Sequence, residues 1–382
     1  MKKVFIISSV FLGVTVLFWL LYVFVIQENM KKSTSEEEIS IQEIQEKNNE
    51  NNQSDTSRFE VFADFPVLSP TLSSDGSRLY TYHKETATLY EIDTETKSKK
   101  VLQDTNLTGP IISLWSSNPE ISILKTTPQQ NAQYFLIDTK SQTTTALPSD
   151  ITYLSWDSLS ERIVYIQRKK PEEILFSTAK PDGTDTKELS AISEKGRVSL
   201  APVPGSPIIA YWPQSANTKI SPLTHINLST KEKTEIFAGK YGADYLYAPN
   251  GERILLSWST EKGGSKMTLA TLNKYGGQYK DLGIPTLASK CVWNKTATTV
   301  YCAVPTGMTQ TTVMPDDYIN GKFLTVDSFW KVDIESGKKE RVVELSDIQE
   351  RFDATNLFID SSEQYLFFVN KNTSTLYRIT LP

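Results

Sequence analysis

The chain has 382 residues, 40 Lys and Arg against 45 Asp and Glu, and a net charge of −5. Its apolar share of 39% and charged share of 22% are ordinary for a globular chain. The first 57 residues hold 5 basic and 8 acidic side chains, which leaves 35 against 37 for the rest. A near-neutral body of mixed charge argues against nucleic acid as a partner, since that needs a clustered positive surface.

Lys2 and Lys3 precede an uncharged run from Val4 to Ile26. As a helix that run would span about 34 Å, enough to cross a bilayer core of about 30 Å. A cleaved secretory signal has a shorter apolar region and small residues at its cleavage site. Here the run ends Phe24-Val25-Ile26-Gln27-Glu28-Asn29, with no Cys nearby for lipid attachment. Residues 1–26 are therefore expected to form an uncleaved signal-anchor, a transmembrane helix that tethers the chain to a membrane. Lys2, Lys3 and the amino terminus favour an inside N-terminus. Lys31 and Lys32 oppose this, with partial offset from Glu28. The short leading tail and the composition of the body favour an extracytoplasmic C-terminal domain.

Residues 27–57 read as a polar, disordered stalk. Ser33 to Ser57 is rich in Glu, Asn, Gln and Ser and has no aromatic residue, so it lacks the apolar surface to offset its ordering entropy. Ile39, Ile41 and Ile44 can also be read as a short helical stripe; a solvated tether is the plainer reading.

From Arg58 onward the sequence repeats. Ser74-Asp75-Gly76-Ser77-Arg78 leads into Leu79-Tyr80-Thr81-Tyr82, and Pro249-Asn250-Gly251-Glu252-Arg253 leads into Ile254-Leu255-Leu256. Equivalent anchors are Ile121, Ile163, Ile208, Val300 and Leu366, so successive copies are 42, 42, 45, 46, 46 and 66 residues apart. A period in the low-to-mid forties with several short strands per unit predicts an all-β β-propeller. Each unit offers a strand before the turn (Ile151 to Trp156, for example) and two after it. The fourth strands are short, as in Lys100-Val101-Leu102 and Arg341-Val342-Val343-Glu344. The last unit stops after its third strand, and one spare strand, Arg58-Phe59-Glu60-Val61-Phe62, stands at the opposite end. Pairing it with Leu376 to Thr380 would close a ring of about seven four-stranded blades over 58–382 and remove an exposed sheet edge. The Pro-rich copy at Ala201 to Tyr211 leaves six or eight blades open.

The Ser-x-Asp-Gly-x-x-Leu-x-Tyr turn, followed by Leu89-Tyr90-Glu91-Ile92-Asp93, resembles the repeat of WD40-like propellers of the TolB type. The resemblance implies an extracytoplasmic, protein-binding propeller. The chain departs from that family in its anchor and in lacking a separate domain ahead of the propeller, and is more similar to membrane-anchored bacterial propeller proteins.

Little in the chain suggests chemistry. His83 and His225 are its only histidines, and no nucleophile elbow or phosphate-binding glycine loop occurs. No catalytic residue, metal or cofactor is expected. Trp115, Trp156 and Trp293 share a blade position and read as packing residues, while Asp93, Asp138 and Asp333 read as turn caps. Cys291 and Cys302, the only cysteines, flank a hairpin and are candidates for a disulfide, with two buried free thiols as the other reading. The loops from second to third strand should share one face, and Pro305 to Asp327 is by far the longest. Its run Pro315-Asp316-Asp317-Tyr318-Ile319-Asn320-Gly321-Lys322-Phe323 is too aromatic to be disordered by composition. Asp316, Asp317, Tyr318, Lys322 and Phe323, with Trp212, are the candidate binding residues; a strap that merely covers the channel is the alternative. The expected function is a tethered module binding an envelope protein or glycan. The alternative is a glycan-active enzyme using the loop carboxylates Asp316, Asp317, Glu172 and Glu173.

Overall fold

A computed structural model describes residues 58–127, 132–170, 173–192, 196–308, 311–348 and 350–382. The transmembrane helix and stalk expected over 1–57 lie outside the described residues. Among the described residues no helix is long and apolar enough to cross a membrane.

Residues 58–382 form seven antiparallel four-stranded sheets arranged as the blades of a propeller. Blades 1 to 6 each use four consecutive strands, over 67–104, 110–146, 151–192, 198–237, 241–281 and 291–341. Blade 7 takes three strands from 354–380 and its outermost strand from Phe59–Val61. First strands of neighbouring blades approach one another around the ring, so the first strand is innermost. The Pro-rich copy is a regular hairpin, Val198–Val203 with Ile208–Pro213, which settles the count at seven.

Ring closure matches the register expected from the spare strand. Phe59 pairs with Ile379, Glu60 with Arg378 and Val61 with Tyr377. The Phe59 ring stacks on Phe352 at 4.8 Å and meets Phe329 and Phe368. Glu60 accepts from Arg378 Nε at 2.8 Å and also pairs with Lys97 of blade 1.

Alternation along the strands places one apolar face of each blade against the next. Every pair of neighbouring blades shares a buried cluster, such as Ile123, Trp156 and Ile163 between blades 2 and 3, or Phe62, Leu79, Phe367 and Leu376 across the closure. The tryptophans add a directional tie. Trp156 Nε1 donates to Leu114 O at 2.9 Å and Trp293 Nε1 to Leu246 O at 3.2 Å, each reaching the first strand of the preceding blade. Asp93, Asp138 and Asp333 accept backbone N–H groups of their own turns at 2.8, 2.9 and 2.7 Å, as turn caps do. One strand differs from expectation. The fourth strand of blade 6 is Lys339–Arg341, because Val342 and Val343 turn inward and are buried between blades 6 and 7. Cys291 and Cys302 stand opposite each other on adjacent strands and are joined as a disulfide, both buried.

Two expected outcomes follow. Phe59→Ala removes the aromatic anchor of the closing strand and should lower stability to urea by about 2–3 kcal/mol, given that the ring is only partly buried; an unchanged midpoint would mean that closure does not depend on this contact. His225 is buried against Tyr247, its Nε2 2.6 Å from the Tyr247 hydroxyl, and burial pushes its pKa from 6.5 down to about 4. The fold therefore holds it neutral, while the unfolded chain protonates it. Stability is complete above about pH 6.5 and falls as the pH drops towards the folded value, by about 2 kcal/mol between about pH 7 and 5. Denaturant titrations of His225→Gln should show a flatter slope in that window.

Candidate binding face

The insertion between the second and third strands of blade 6 lies on the face that carries the second-to-third loops. It leaves the strand Thr299–Thr306 and re-enters at Val326–Asp333, with one short helix, Asp316–Ile319. Its apolar side chains fix it. Met314 and Tyr318 are buried with Met267 and Leu287, and Met308 and Phe323 pack against them. Over blades 4 and 5 the fixing is polar and converges on Asn217, which is wholly buried. Asn217 Nδ2 donates to Ser259 Oγ at 2.9 Å, to Gly264 O at 2.6 Å and to Met314 O, while its backbone N–H donates to Asp316 Oδ2 at 2.6 Å. Three loops are thereby joined at one side chain. Gly242 makes the close approach possible. Its φ is +56°, and a Cβ there would lie 3.0 Å from Pro315 Cδ.

Over blades 6 and 7 the insertion closes on a buried charge network. Lys290, in a single 3-10 turn ahead of the first strand of blade 6, is 1% exposed. Its Nζ lies 2.7 Å from Asp327 Oδ2, 2.8 Å from Asp353 Oδ1, 2.8 Å from Thr325 Oγ1 and 2.9 Å from Ala354 O. The Tyr318 hydroxyl donates to Asp353 Oδ1 at 2.9 Å, and its ring centre lies 4.7 Å from Lys290 Nζ and 3.8 Å from Lys371 Nζ. Two carboxylates around one buried ammonium do not behave alike. Burial pushes the Asp327 carboxyl up despite Lys290, and Asp327 Oδ1 has no hydrogen-bond partner. Burial opposes ionisation of Asp353 too, but the Lys290 charge and the hydrogen bonds from Lys290, Tyr318 and Thr325 outweigh it and hold that carboxyl below its ordinary value.

Five of the six candidate binding residues are thus brought together by the insertion, with different duties. Tyr318 is an internal pin. Asp317 accepts the Val313 N–H at 2.8 Å and stands 3.9 Å from Lys322. Phe323 is half-buried under the insertion, Lys322 is exposed, and Asp316 pins Asn217 while still facing a cleft. Trp212 stands apart. It is 4% exposed, packs in the blade 4–5 core and donates its Nε1–H to Asp244 Oδ1 at 2.9 Å, so it presents no surface to a ligand. Of the enzyme candidates, Asp316 and Asp317 each hold a backbone N–H of the scaffold, and Glu172 lies outside the described residues. Sequence reading missed Lys290, Asp353 and Asn217. A buried Lys carries no local pattern that separates it from a surface one, and Asn217 sits in a polar loop indistinguishable from its neighbours.

Between the insertion and blade 4 lies an open cleft of about 540 Å³, lined by Arg197, Gln214, Lys219, Ile220, Asp316 and Asn320 among others. Ile220 and Ile319 expose 46% and 39% of their surface at it. A hollow of about 600 Å³ at the blade 5–6 edge is lined by Trp258 and Tyr279, but Lys240 Nζ covers both rings at 4.5 and 5.2 Å. Among the described residues no group of three or more His, Cys, Asp and Glu side chains is placed to hold a metal ion.

No family model matches the chain, and no curated protein matches it. Solved structures share the fold. The β-propeller domain of Myceliophteria thermophila Cps50 (Swd1) superposes with a TM-score of 0.58 at 7% identity, over 85% of this chain and 100% of that one. An oligogalacturonate lyase in complex with manganese gives 0.57 at 11%, over 81% and 88%. The β-propeller domain of the Trilobed protease from Pyrococcus furiosus gives 0.53 at 11%, over 83% and 94%. At such identities the likeness is one of fold, and the chain has the seven-bladed β-propeller expected from its repeat.

The buried network makes a graded set of outcomes. Lys290→Met should cost about 3–5 kcal/mol in denaturant unfolding, because two carboxylates lose their buried counter-charge. Asp353→Asn should cost more than Asp327→Asn, since the fold keeps the first ionised and drives the second towards neutrality. The Asp353 contribution is present above the ordinary carboxylate range and is lost as the pH falls through its lowered folded value. Equal losses in the two Asn variants would contradict this division of charge.

Proposed function

We propose that the chain is a membrane-tethered, extracytoplasmic binding module that holds an envelope protein or glycan against its loop face. The observation that carries the reading is the cleft between the insertion and blade 4. One wall is pinned at Asn217 and the other end of the insertion at Lys290, so the cleft belongs to a rigid frame. Rigid, partly apolar hollows with a few convergent polar groups are where ligands bind, because little entropy is lost on filling them. Ile220 and Ile319 offer the apolar part, and Gln214, Lys219 and Asn320 the polar part. The tether rests on the uncharged run from Val4 to Ile26, and the extracytoplasmic side is supported by the Cys291–Cys302 disulfide, which suits an oxidising compartment. A binding role also fits Asp316 and Asp317, whose carboxylates are committed to the scaffold rather than facing each other across a bond to be broken.

Two measurements test this reading. External protease added to intact cells expressing the full chain should remove the propeller; complete protection would place it inside. Ile319→Glu puts a charge on the exposed rim of the cleft. It should reduce retention of the full chain on isolated envelope material about tenfold with no change in melting temperature, as burying an unpaired charge on binding requires. Unaltered retention would remove the cleft from the reading.

A further inference from the structure

Arg197 lines the 540 Å³ cleft and also a second cavity of about 280 Å³ beside it, which is formed by the loop-face ends of blades 3 and 4 with Thr152, Tyr153, Ile166 and Arg168. Lys125, at the end of the second strand of blade 2, reaches the same place. Its Nζ lies 5.8 Å from the Tyr153 ring centre and 4.9 Å from that of Tyr134. Among the described residues neither Lys125 nor Arg197 forms an ion pair with a carboxylate. The flanking segments 169–173 and 193–195 contribute three Lys and three Glu, hence no net charge. Burial lowers the Lys125 pKa, and the Arg197 charge lowers it further. In a body carrying 35 basic against 37 acidic side chains, a half-buried Lys125 left to repel the exposed Arg197 at the mouth of both cavities is an arrangement that folding alone would not favour.

We infer that this junction takes the anionic group, carboxylate or phosphate, of an acidic glycan, seated between Lys125 and Arg197 against the Tyr153 ring. The inference rests on the reading of the loop face as a binding surface and names its ligand class. An anion there satisfies both cations at once, and hydrogen bonds to charged groups are the strong ones. The rest of the lining suits sugar hydroxyls: Thr152 in the smaller cavity, and Gln214, Ser215 and Asn320 in the larger. Two cavities in series, joined at one guanidinium, fit consecutive units of a polymer with the charge at the junction. A run of phosphates at nucleic-acid spacing would require a longer basic stripe.

The test uses the full-length chain in detergent and calorimetric titration with four probes: a uronate oligomer, a glycerol-phosphate oligomer, a neutral oligosaccharide of equal length and an oligoglutamate peptide. Tighter binding of the uronate oligomer identifies a carboxylate polymer, and tighter binding of the glycerol-phosphate oligomer a phosphate one. Either must weaken about tenfold or more in Arg197→Gln and in Lys125→Gln, and must weaken with added salt. Because Arg197→Gln relieves repulsion at an exposed side chain, that variant should not melt below the wild type; a lower melting temperature would mean that the pair is structural. Equal binding of the neutral probe, unaffected by these substitutions but lost in Ile319→Glu, would overturn the anionic site while leaving the cleft a glycan site. Tightest binding of oligoglutamate would overturn the glycan assignment. Absence of binding by all four probes would overturn the inference, while retention on envelope material judges the cleft separately.

Discussion

Each blade can bury only one face against the next, so none of the seven interfaces is secure until the last is made. That last interface depends on Phe59–Val61 adding to the edge of the final sheet. Without it the strand Thr375–Thr380 would present unpaired backbone groups to solvent, and Phe352, Phe368 and Phe329 would lose the ring that covers them. Glu60 extends the closure sideways by pairing with both Arg378 of blade 7 and Lys97 of blade 1. The strand that closes the ring is also the first part of the propeller after the predicted tether. The loop face on which the cleft lies keeps its geometry only while the ring is shut.

The insertion places a second constraint on that face. Its two ends are held by different physics. Over blades 4 and 5 a single buried amide gathers three loops, and over blades 6 and 7 a buried ammonium faces two carboxylates. A buried ion group of this kind is weak evidence for stability, because well-packed apolar residues can do as well. Its geometry is selective, however. Lys290 reaches Thr325, Asp327, Asp353 and Ala354 only when the insertion and blade 7 are both in place. The network thus couples the position of the insertion to the blade that completes the ring.

What was legible in the sequence was whatever is local and periodic. The polar turn at Ser74–Arg78, the tryptophans that end first strands and the aspartates that cap turns all repeat, because each blade solves the same packing problem. The spare strand was legible because a missing strand at one end and an extra one at the other cannot both be accidents of composition. The exception within a blade, Val342 and Val343, came from reading an alternating stretch as strand when its apolar pair was needed in the core. The site was legible only as a segment. Composition marked the insertion as ordered, but its aromatic residues proved to face inward, since Tyr318 and Phe323 stabilise the strap that a ligand would touch. Trp212 misled for a related reason, being large, near a loop and buried between blades. Lys290 precedes the first strand of blade 6, Asn217 and Arg197 belong to blade 4 and Lys125 to blade 2, so the contacts each makes across blades come from the closed ring and not from a local pattern.

The two sides of the loop face differ in how their charges are treated, and this difference bears on function. Under the insertion, Lys290 is matched by Asp327 and Asp353, while Asp316 and Asp317 each take a backbone N–H. Across the cleft, and among the described residues, neither Lys125 nor Arg197 pairs with a carboxylate, and the Arg197 charge adds to burial in lowering the Lys125 pKa. A chain that neutralises charge so thoroughly on one side has the means to do so on the other, and stability alone would favour it. Selection commonly tolerates such local cost where a site must accept a group the protein does not itself supply. Arg197 stands where both cavities meet, so whatever satisfies it is held within reach of the rigid insertion on one side and the Tyr153 ring on the other.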